Sequence, residues 1–183
     1  SDVYKRQVYS QTKIMKRKES KHLKYFTPLT PDMFHVALYN FDRNPDKIRN
    51  MRADSLAQCL SFSHVQPGGK YLVIDGIGGL LVGAVLERLG GFGSVHLIHD
   101  SDSPPALELM PQYNLMPFQT HNVLKTLHWA ATEKRWTLPS HMSEELSRVY
   151  TSDRERNRAR KKRANIEDFI ATRQQFFEGE FDA

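Results

Sequence analysis

A glycine-rich turn between an apolar run and a helical pattern constrains the fold of this chain most strongly. Residues 70–74 (KYLVI) are almost continuously apolar, and three glycines lie among the five residues that follow. This pattern is typical of a buried parallel strand that ends in a turn. The apolar spacing of residues 80–89 predicts a helix, and residues 94–99 predict a second strand. Strand, helix and strand within about thirty residues predict a right-handed βαβ unit.

The acidic residue at the end of the first strand is Asp75. In methyltransferases that use S-adenosylmethionine, glycines usually occupy the second, fourth and sixth positions after this residue, because the backbone must approach the cofactor. Those positions hold Ile77, Gly79 and Leu81 here. We expect the two branched side chains to fill the space that the cofactor needs. The sequence therefore predicts a degenerate site that binds no cofactor.

Asp100 follows the second predicted strand, where an acidic residue holds a ribose hydroxyl in intact sites. It is interpreted either as a remnant of such a site or as an ordinary loop carboxylate. An active enzyme remains an alternative to the degenerate site. In that case the cofactor would be held in an unusual turn by Asp75, Gly76, Gly78, Gly79 and Asp100.

Basic residues are concentrated in two segments of a chain with a formal net charge of +5. Several cations of the first segment share one face of a predicted helix. The second segment, residues 154–163, places seven cations in ten positions. Such segments neutralise phosphates, so both predict a polyanionic partner, although a solvated helix without a partner and a nuclear import signal are alternatives. The candidate residues are Lys13, Lys16, Arg17, Lys18, Lys21, Lys24, Arg154, Arg156, Arg158, Arg160, Lys161, Lys162 and Arg163.

Other patterns predict helices, a reducing environment and a chain that does not enter a membrane. Phe34, Leu38 and Phe41 predict the buried face of one helix that begins after Thr30, and residues 122–130 predict a further helix. The single cysteine, Cys59, is expected in the core and excludes an intramolecular disulfide. The scattered histidines predict no metal site. No apolar run approaches the roughly 20 residues of a membrane span.

Three segments, taken in order, resemble one protein family. They are residues 52–58 (RADSLAQ), 73–84 (VIDGIGGLLVGA) and 87–95 (ERLGGFGSV), and residues 16–19 (KRKE) add to the likeness. These segments resemble the non-catalytic subunit of the eukaryotic tRNA (adenine(58)-N1)-methyltransferase, the Gcd10-like family. The resemblance is strong from about residue 9 to residue 93 and weak afterwards. Ser1 to Gln7 match no segment of this family, which leaves open whether they are native.

The resemblance implies a division of labour between two subunits. It implies a tRNA-binding, non-catalytic chain of Rossmann-like methyltransferase fold, and a catalytic partner that uses S-adenosylmethionine, usually in a heterotetramer of two and two in the nucleus. An assembly module without RNA contact is a further alternative.

The expected regions follow from the same resemblance. Residues 1–30 are expected to be a basic linker from a missing amino-terminal domain, and residues 31–138 the first half of the α/β region. Residues 139–183 are expected to be a basic, partly helical or mobile segment that leads to missing later strands. A sheet remnant of two strands would expose apolar edges and be poorly stable alone.

Overall fold

The structure, a computed structural model, describes residues 2–23, 26–101 and 105–183, with side chains from residue 8 onwards. It divides into two compact units, Ser1–Thr30 and Pro31–Ala183. The first unit consists mainly of helix α1, Asp2–His22. None of the helices within the described residues combines the length and the apolar character needed to cross a bilayer.

The second unit is a mixed α/β structure around a parallel sheet. Three short 3-10 turns, Pro45–Ile48, Met110–Tyr113 and Trp129–Thr132, join longer elements. The helices and strands are α2 (Met33–Arg43), α3 (Ala53–Phe62), β1 (Lys70–Ile74), α4 (Leu80–Leu89), β2 (Ser94–His99), α5 (Pro117–Thr120), β3 (Leu124–His128), α6 (Ser140–Ser147) and α7 (Asp153–Glu178).

The sheet has three parallel strands in the order β1-β2-β3. In its register, Tyr71 is opposite Val95, and Val95 is opposite Leu124. The β1-α4-β2 unit agrees with the prediction, but β3 lies where the sequence predicted a helix. Apolar residues spaced three and four apart misled that prediction, because pairing with β2 outweighs the local helical preference. The expected two-stranded remnant is therefore wrong.

The hydrophobic core lies between one face of the sheet and helices α2, α3 and α4. Tyr71 and Val73 point into this core, whereas Leu72 and Ile74 alternate to the opposite, more exposed face. Alternation of this kind follows from the two-residue period of a strand. Helix α4 packs against β2, and α7 packs against β3. Residues after 139 thus form helices, one of which packs on the sheet.

Two predicted core assignments were wrong. Helix α2 buries Val36, Ala37 and Asn40, while Phe34 and Leu38 are exposed at 52% and 41%. Phe41, the third residue predicted on the buried face, is partly buried against the core. The smaller side chains let α2 approach its neighbours, so Phe34 and Leu38 remain outside. The helix also begins later than expected, because the Asp32 carboxylate caps it by accepting the His35 N–H at 2.8 Å.

Cys59 is exposed, not buried as the sequence predicted. Helix α3 buries Ala53, Leu56 and Leu60, which form a single stripe along its length. Cys59 directly precedes Leu60, about 100° away around the helix axis. It therefore lies beside the buried stripe and faces solvent.

The carboxyl-terminal residues lie along an edge of β1. The Asp182 N–H donates to the Lys70 carbonyl oxygen, and the Leu72 N–H donates to the Ala183 carbonyl oxygen, both at 2.8 Å. The Asp182 carboxylate also accepts the Lys70 N–H at 2.8 Å. Backbone groups of β1 that the sequence predicted to be exposed are thus satisfied by the chain itself.

Candidate functional site: the glycine turn and the basic helices

The Asp75 carboxylate is occupied by backbone N–H groups of its own turn. One of its oxygens, Oδ1, accepts the N–H of Ile77 at 2.8 Å and that of Gly79 at 3.1 Å. The other oxygen, Oδ2, accepts the N–H of Val82 at 3.0 Å, in the first turn of α4. The N–H groups of Gly79 and Val82 are of the kind that binds an anionic ligand at a helix amino terminus. Here the Asp75 carboxylate takes the place of such a ligand.

The segment after β2 packs directly on the glycines of this turn. A Cβ atom added to Gly79 would lie 3.1 Å from the Leu107 Cα atom, and one added to Gly78 would lie 3.5 Å from Leu109. The Leu109 N–H also donates to the Gly78 carbonyl oxygen at 2.9 Å. Gly79 has a φ of +91°, which a residue with a Cβ atom rarely adopts. The glycines of this turn therefore allow the segment after β2 to approach their backbone closely.

Tyr113 extends the same contact along α4. A Cβ atom added to Gly83 would collide with the Tyr113 ring. The Tyr113 hydroxyl donates to the Leu80 carbonyl oxygen at 2.7 Å, and burial raises the pKa of this hydroxyl far above its ordinary value. A neutral hydroxyl is therefore available as a donor throughout the physiological pH range. Tyr113 therefore packs along α4, next to the turn on which Leu107 and Leu109 pack.

The predicted site residues around this turn lie in different environments. Ile77 is buried in the hydrophobic core, and Leu81 is partly buried against it. Asp100 is exposed directly after β2. Sequence reasoning missed Leu107, Leu109 and Tyr113, because nothing in the sequence indicated that this segment folds back over α4.

Helix α1 carries the first basic segment. Its described side chains are exposed. Lys13, Lys16 and Arg17 line a shallow hollow along the helix, and Lys18 and Lys21 are exposed on the same helix. Lys24, the last candidate of this segment, lies outside the described residues. The helical arrangement agrees with the sequence prediction, and the role of these cations in binding stays a prediction.

The second basic segment forms the amino-terminal part of α7 and contributes to a hollow with the end of α6. We call this cavity of about 610 Å³ the basic hollow. Its floor includes apolar side chains such as Leu146 and the buried Ala159. Its lining contains four guanidinium groups and one carboxylate, and those charged residues are Arg148, Arg156, Arg160, Arg163 and Glu167.

Tyr150 organises two of these arginines. The Arg148 and Arg163 Cζ atoms lie 5.5 and 5.4 Å from the centre of its ring, within the range of a cation–π interaction. The Tyr150 hydroxyl donates to Glu145 Oε1 at 2.5 Å, and this hydrogen bond raises the pKa of the hydroxyl. Arg163 also donates to the backbone carbonyl oxygens of Glu145 and Arg148. The end of α6 is thereby tied to α7.

The remaining cations of residues 154–163 lie on other faces of α7. Arg156, Arg160 and Arg163 are spaced four and three apart, which places them on one face of a helix. The other four are exposed and project away from this face, and they are Arg154, Arg158, Lys161 and Lys162. Sequence reasoning treated all seven as equivalent and missed Arg148 and Tyr150, whose only signal was a basic and an aromatic residue shortly before the run.

The second half of α7 is anchored on the sheet and on the residues that follow β3. Asp168 forms an ion pair with Lys125 of β3 at 2.5 Å. Arg173 donates to the carbonyl oxygens of Ala131 at 2.9 Å and Glu133 at 3.0 Å. Lys70 Nζ donates to the Gly179 carbonyl oxygen at 2.6 Å, just beyond the helix. These contacts fix the helix that presents the arginines.

His96 is a fully buried histidine on the face of the sheet near the end of α7. Its two ring nitrogens have no hydrogen-bond partner among the described residues. Its ring lies edge-on to that of Phe181, with 5.3 Å between the ring centres. Burial, followed by the positive charge of Lys70, lowers the pKa of His96, while the Gln175 side chain opposes this shift. The imidazole is therefore neutral at physiological pH.

Comparison with known proteins identifies the class of protein. A family model described as the Gcd10p family matches residues 1–167. This match includes Ser1 to Gln7, which were expected to lie outside the resemblance, and it continues beyond residue 93, where a weaker likeness was expected. The chain belongs to the Gcd10p family.

Individual relatives carry one functional name. The chain is 30% identical over 96% of its length to a Schizosaccharomyces pombe protein and 32% identical over 68% to one from Debaryomyces hansenii. It is 36% identical over 52% of its length to a Mus musculus protein. All three are named tRNA (adenine(58)-N(1))-methyltransferase non-catalytic subunit. The chain spans 40%, 26% and 19% of the fission yeast, D. hansenii and mouse proteins, respectively.

Proposed function

We propose that this chain belongs to a non-catalytic subunit that binds tRNA and assists a catalytic partner, which uses S-adenosylmethionine to methylate adenosine 58 at N1. The observation that carries this proposal is the Asp75 carboxylate, which accepts three N–H groups of its own turn. Leu107 and Leu109 pack on the adjacent glycines. A turn filled in this way supports a role other than methyl transfer. The names of the relatives supply the reaction and the substrate.

The α/β unit is proposed to be the first half of a Rossmann-like methyltransferase fold with a degenerate cofactor site. Its parallel strands in the order β1-β2-β3 and its crossover helix α4 support this reading. The chain would need no cofactor of its own. Isothermal titration calorimetry of S-adenosylmethionine into the full-length subunit tests this part, and we expect no measurable heat. Binding in the micromolar range would favour the active enzyme instead.

The basic segments are proposed to hold tRNA through its phosphates. Phosphate contacts position a nucleic acid without reading its bases, and they weaken as salt rises. The exposed cations of α1 and α7 have the required charge. An assembly of two such subunits with two catalytic subunits, located in the nucleus, is part of the proposal. The basic run of residues 154–163 also supports nuclear import.

A charge reversal on α1 separates tRNA binding from assembly alone. The assembled complex would carry Lys16→Glu and Arg17→Glu, and we expect the dissociation constant for tRNA to rise about tenfold at low salt. Lys134→Glu with Arg135→Glu is a matched control, because both residues are exposed neighbours and lie in the other unit. Unchanged affinity at several salt concentrations would favour an assembly module without RNA contact.

A direct test of the whole proposal is reconstitution. Co-purification of the full-length subunit with the catalytic partner should give a complex that methylates tRNA, whereas either subunit alone should not. Methylation by the partner alone at the rate of the complex would contradict the proposed function.

A further inference from the structure

We propose that the basic hollow between α6 and α7 is a discrete site for RNA backbone phosphates. This inference rests on the proposed function and deepens it, because it distinguishes four arginines from the other cations of the same run. The four are Arg148, Arg156, Arg160 and Arg163, and they line one cavity of about 610 Å³. Arginine is suited to this role, since its planar guanidinium can donate two parallel hydrogen bonds to a phosphate.

The hollow retains positive charge that the surrounding residues do not neutralise. Within the described part of the chain, neither Arg148 nor Arg160 forms an ion pair with a carboxylate. Arg156 pairs with Asp153 at 2.6 Å, but this pair is solvent-exposed and therefore weak. Glu167 is the only carboxylate among the lining residues. Like charges gathered in a concave surface cost free energy, and a bound anion would recover that cost.

The contacts around Tyr150 show how the chain tolerates this arrangement. Its ring lies against two of the guanidinium groups, at 5.5 Å from Arg148 and 5.4 Å from Arg163. Its hydroxyl donates to Glu145, so this carboxylate has a partner other than an arginine. Arg163 is held further by two backbone carbonyl oxygens. The aromatic ring and the carbonyls hold the cations in place without neutralising them.

An RNA backbone fits this hollow better than a short acidic peptide. The exposed cations on the other faces of α7 add to the positive field around the hollow, and they are Arg154, Arg158, Lys161 and Lys162. A polymer with a phosphate at every nucleotide can occupy the hollow and also meet this wider field. A single carboxylate or phosphate group would use the hollow alone.

Two pairs of substitutions on the same helix test the site. Arg156→Gln with Arg160→Gln removes two charges from the hollow, and Arg154→Gln with Arg158→Gln removes two charges from another face with the same spacing. Fluorescence anisotropy would report tRNA binding by the assembled complex at several salt concentrations. We expect the hollow pair to raise the dissociation constant about tenfold more than the control pair. The hollow pair should also reduce the salt slope by about 1.4, or about 0.7 for each lost phosphate contact.

Each alternative outcome has a distinct meaning. Equal effects of the two pairs, or no effect of either, would overturn the site, because only the overall charge would then matter. A weaker co-purification with the catalytic partner and unchanged tRNA affinity would make the hollow a protein-docking surface and would also overturn it. If the unaltered complex bound tRNA no more tightly than the catalytic partner alone, the proposed function itself would fail. Circular dichroism of both pairs would verify that they remain folded.

Discussion

The glycine turn and the basic hollow use their polar groups in opposite ways. In the turn, both oxygens of the Asp75 carboxylate accept backbone N–H groups, and Leu107 packs on Gly79. In the hollow, Arg148 and Arg160 form no ion pair within the described residues. A polar group that is satisfied internally contributes to stability, whereas one that faces an open cavity is available to a ligand. The turn therefore maintains the fold, whereas the hollow is suited to binding.

The largest change in stability is expected when the Asp75 carboxylate is removed. Asp75→Ala leaves the N–H groups of Ile77, Gly79 and Val82 without their acceptor and removes a charge from the start of α4. We expect the free energy of unfolding to fall by about 2–4 kcal/mol, because a lost cap costs about 1 kcal/mol and unsatisfied donors cost more. Urea denaturation followed by circular dichroism would measure it.

Two further variants show whether the hydrogen bonds cause that loss. Asp75→Asn keeps one acceptor oxygen and should lose less stability than Asp75→Ala. Asp100→Ala removes an exposed carboxylate after β2 and should change stability by no more than about 0.5 kcal/mol. Similar losses for Asp75→Ala and Asp100→Ala would contradict the contrast between an occupied and an exposed carboxylate.

The second effect concerns the packing of Tyr113 on α4. Replacing a helical glycine by alanine usually stabilises a helix by about 0.5–1 kcal/mol. Gly83→Ala should instead destabilise the protein by about 1–3 kcal/mol, because the new methyl group would meet the buried Tyr113 ring. Thermal unfolding monitored by circular dichroism would give the sign directly.

A double-mutant cycle isolates this contact. Tyr113→Leu removes the ring. Gly83→Ala should therefore lower the free energy of unfolding less in the Tyr113→Leu variant than in the unaltered chain. Stabilisation by Gly83→Ala alone would show that Tyr113 does not pack as described.

A smaller effect should appear as a dependence of stability on pH. Burial lowers the pKa of His96, so the unfolded chain binds more protons at this residue than the folded chain below about pH 6.5. The groups that face it are Lys70 from β1, Lys125 from β3, Gln175 from α7 and Phe181 from the carboxyl-terminal residues. The contribution of His96 to the free energy of unfolding should be fully present above pH 6.5. It should be lost as the pH falls through the lowered pKa.

Substitution tests whether His96 causes this dependence of stability on pH. Urea denaturation at several pH values should show a shallower loss of stability on acidification for His96→Gln than for the unaltered chain. His141→Gln, at an exposed histidine in α6, should leave the slope unchanged. A slope unaffected by His96→Gln would rule out this histidine as its cause.

The smallest effect on stability is expected in the hollow. Arg156→Gln with Arg160→Gln removes two like charges spaced four apart on α7, a pair that costs about 0.2–0.5 kcal/mol in a helix. It also removes the exposed pair with Asp153, which contributes a similar amount. We therefore expect a net change within about 0.5 kcal/mol. Thermal unfolding that showed a much larger loss would indicate that the hollow maintains the fold, as the turn does.

The sequence predicted those parts of the fold whose signals are local. The apolar run of β1, the glycines after it and the spacing of α4 defined the βαβ unit. Residues 154–163 indicated a basic segment, either helical or mobile. Strand β3 was predicted to be a helix, since its five residues gain their strand conformation from pairing with β2. The buried face of α2 was misassigned because tertiary packing, and not the local sequence, decides which side of that helix meets the other elements.

The candidate sites were predictable to a similar extent. Asp75 was identified from its place after β1, but its three donors depend on how the turn folds. Leu107 and Tyr113 were missed, because they pack on the turn and on α4, respectively, only through tertiary contact. In the hollow, the charges were evident, whereas the selection of one helical face required Arg148 and Tyr150 from the preceding segment.

The anchoring of α7 has a consequence for the energetics of recognition. A mobile basic tail must surrender backbone freedom when it binds, at a cost of about 1–2 kcal/mol for each residue that becomes ordered. Asp168 and Arg173 have already fixed the helix on β3 and the residues after it during folding. The arginine face therefore meets a polyanion with most of its entropic penalty already incurred, so more of the electrostatic attraction can appear as affinity.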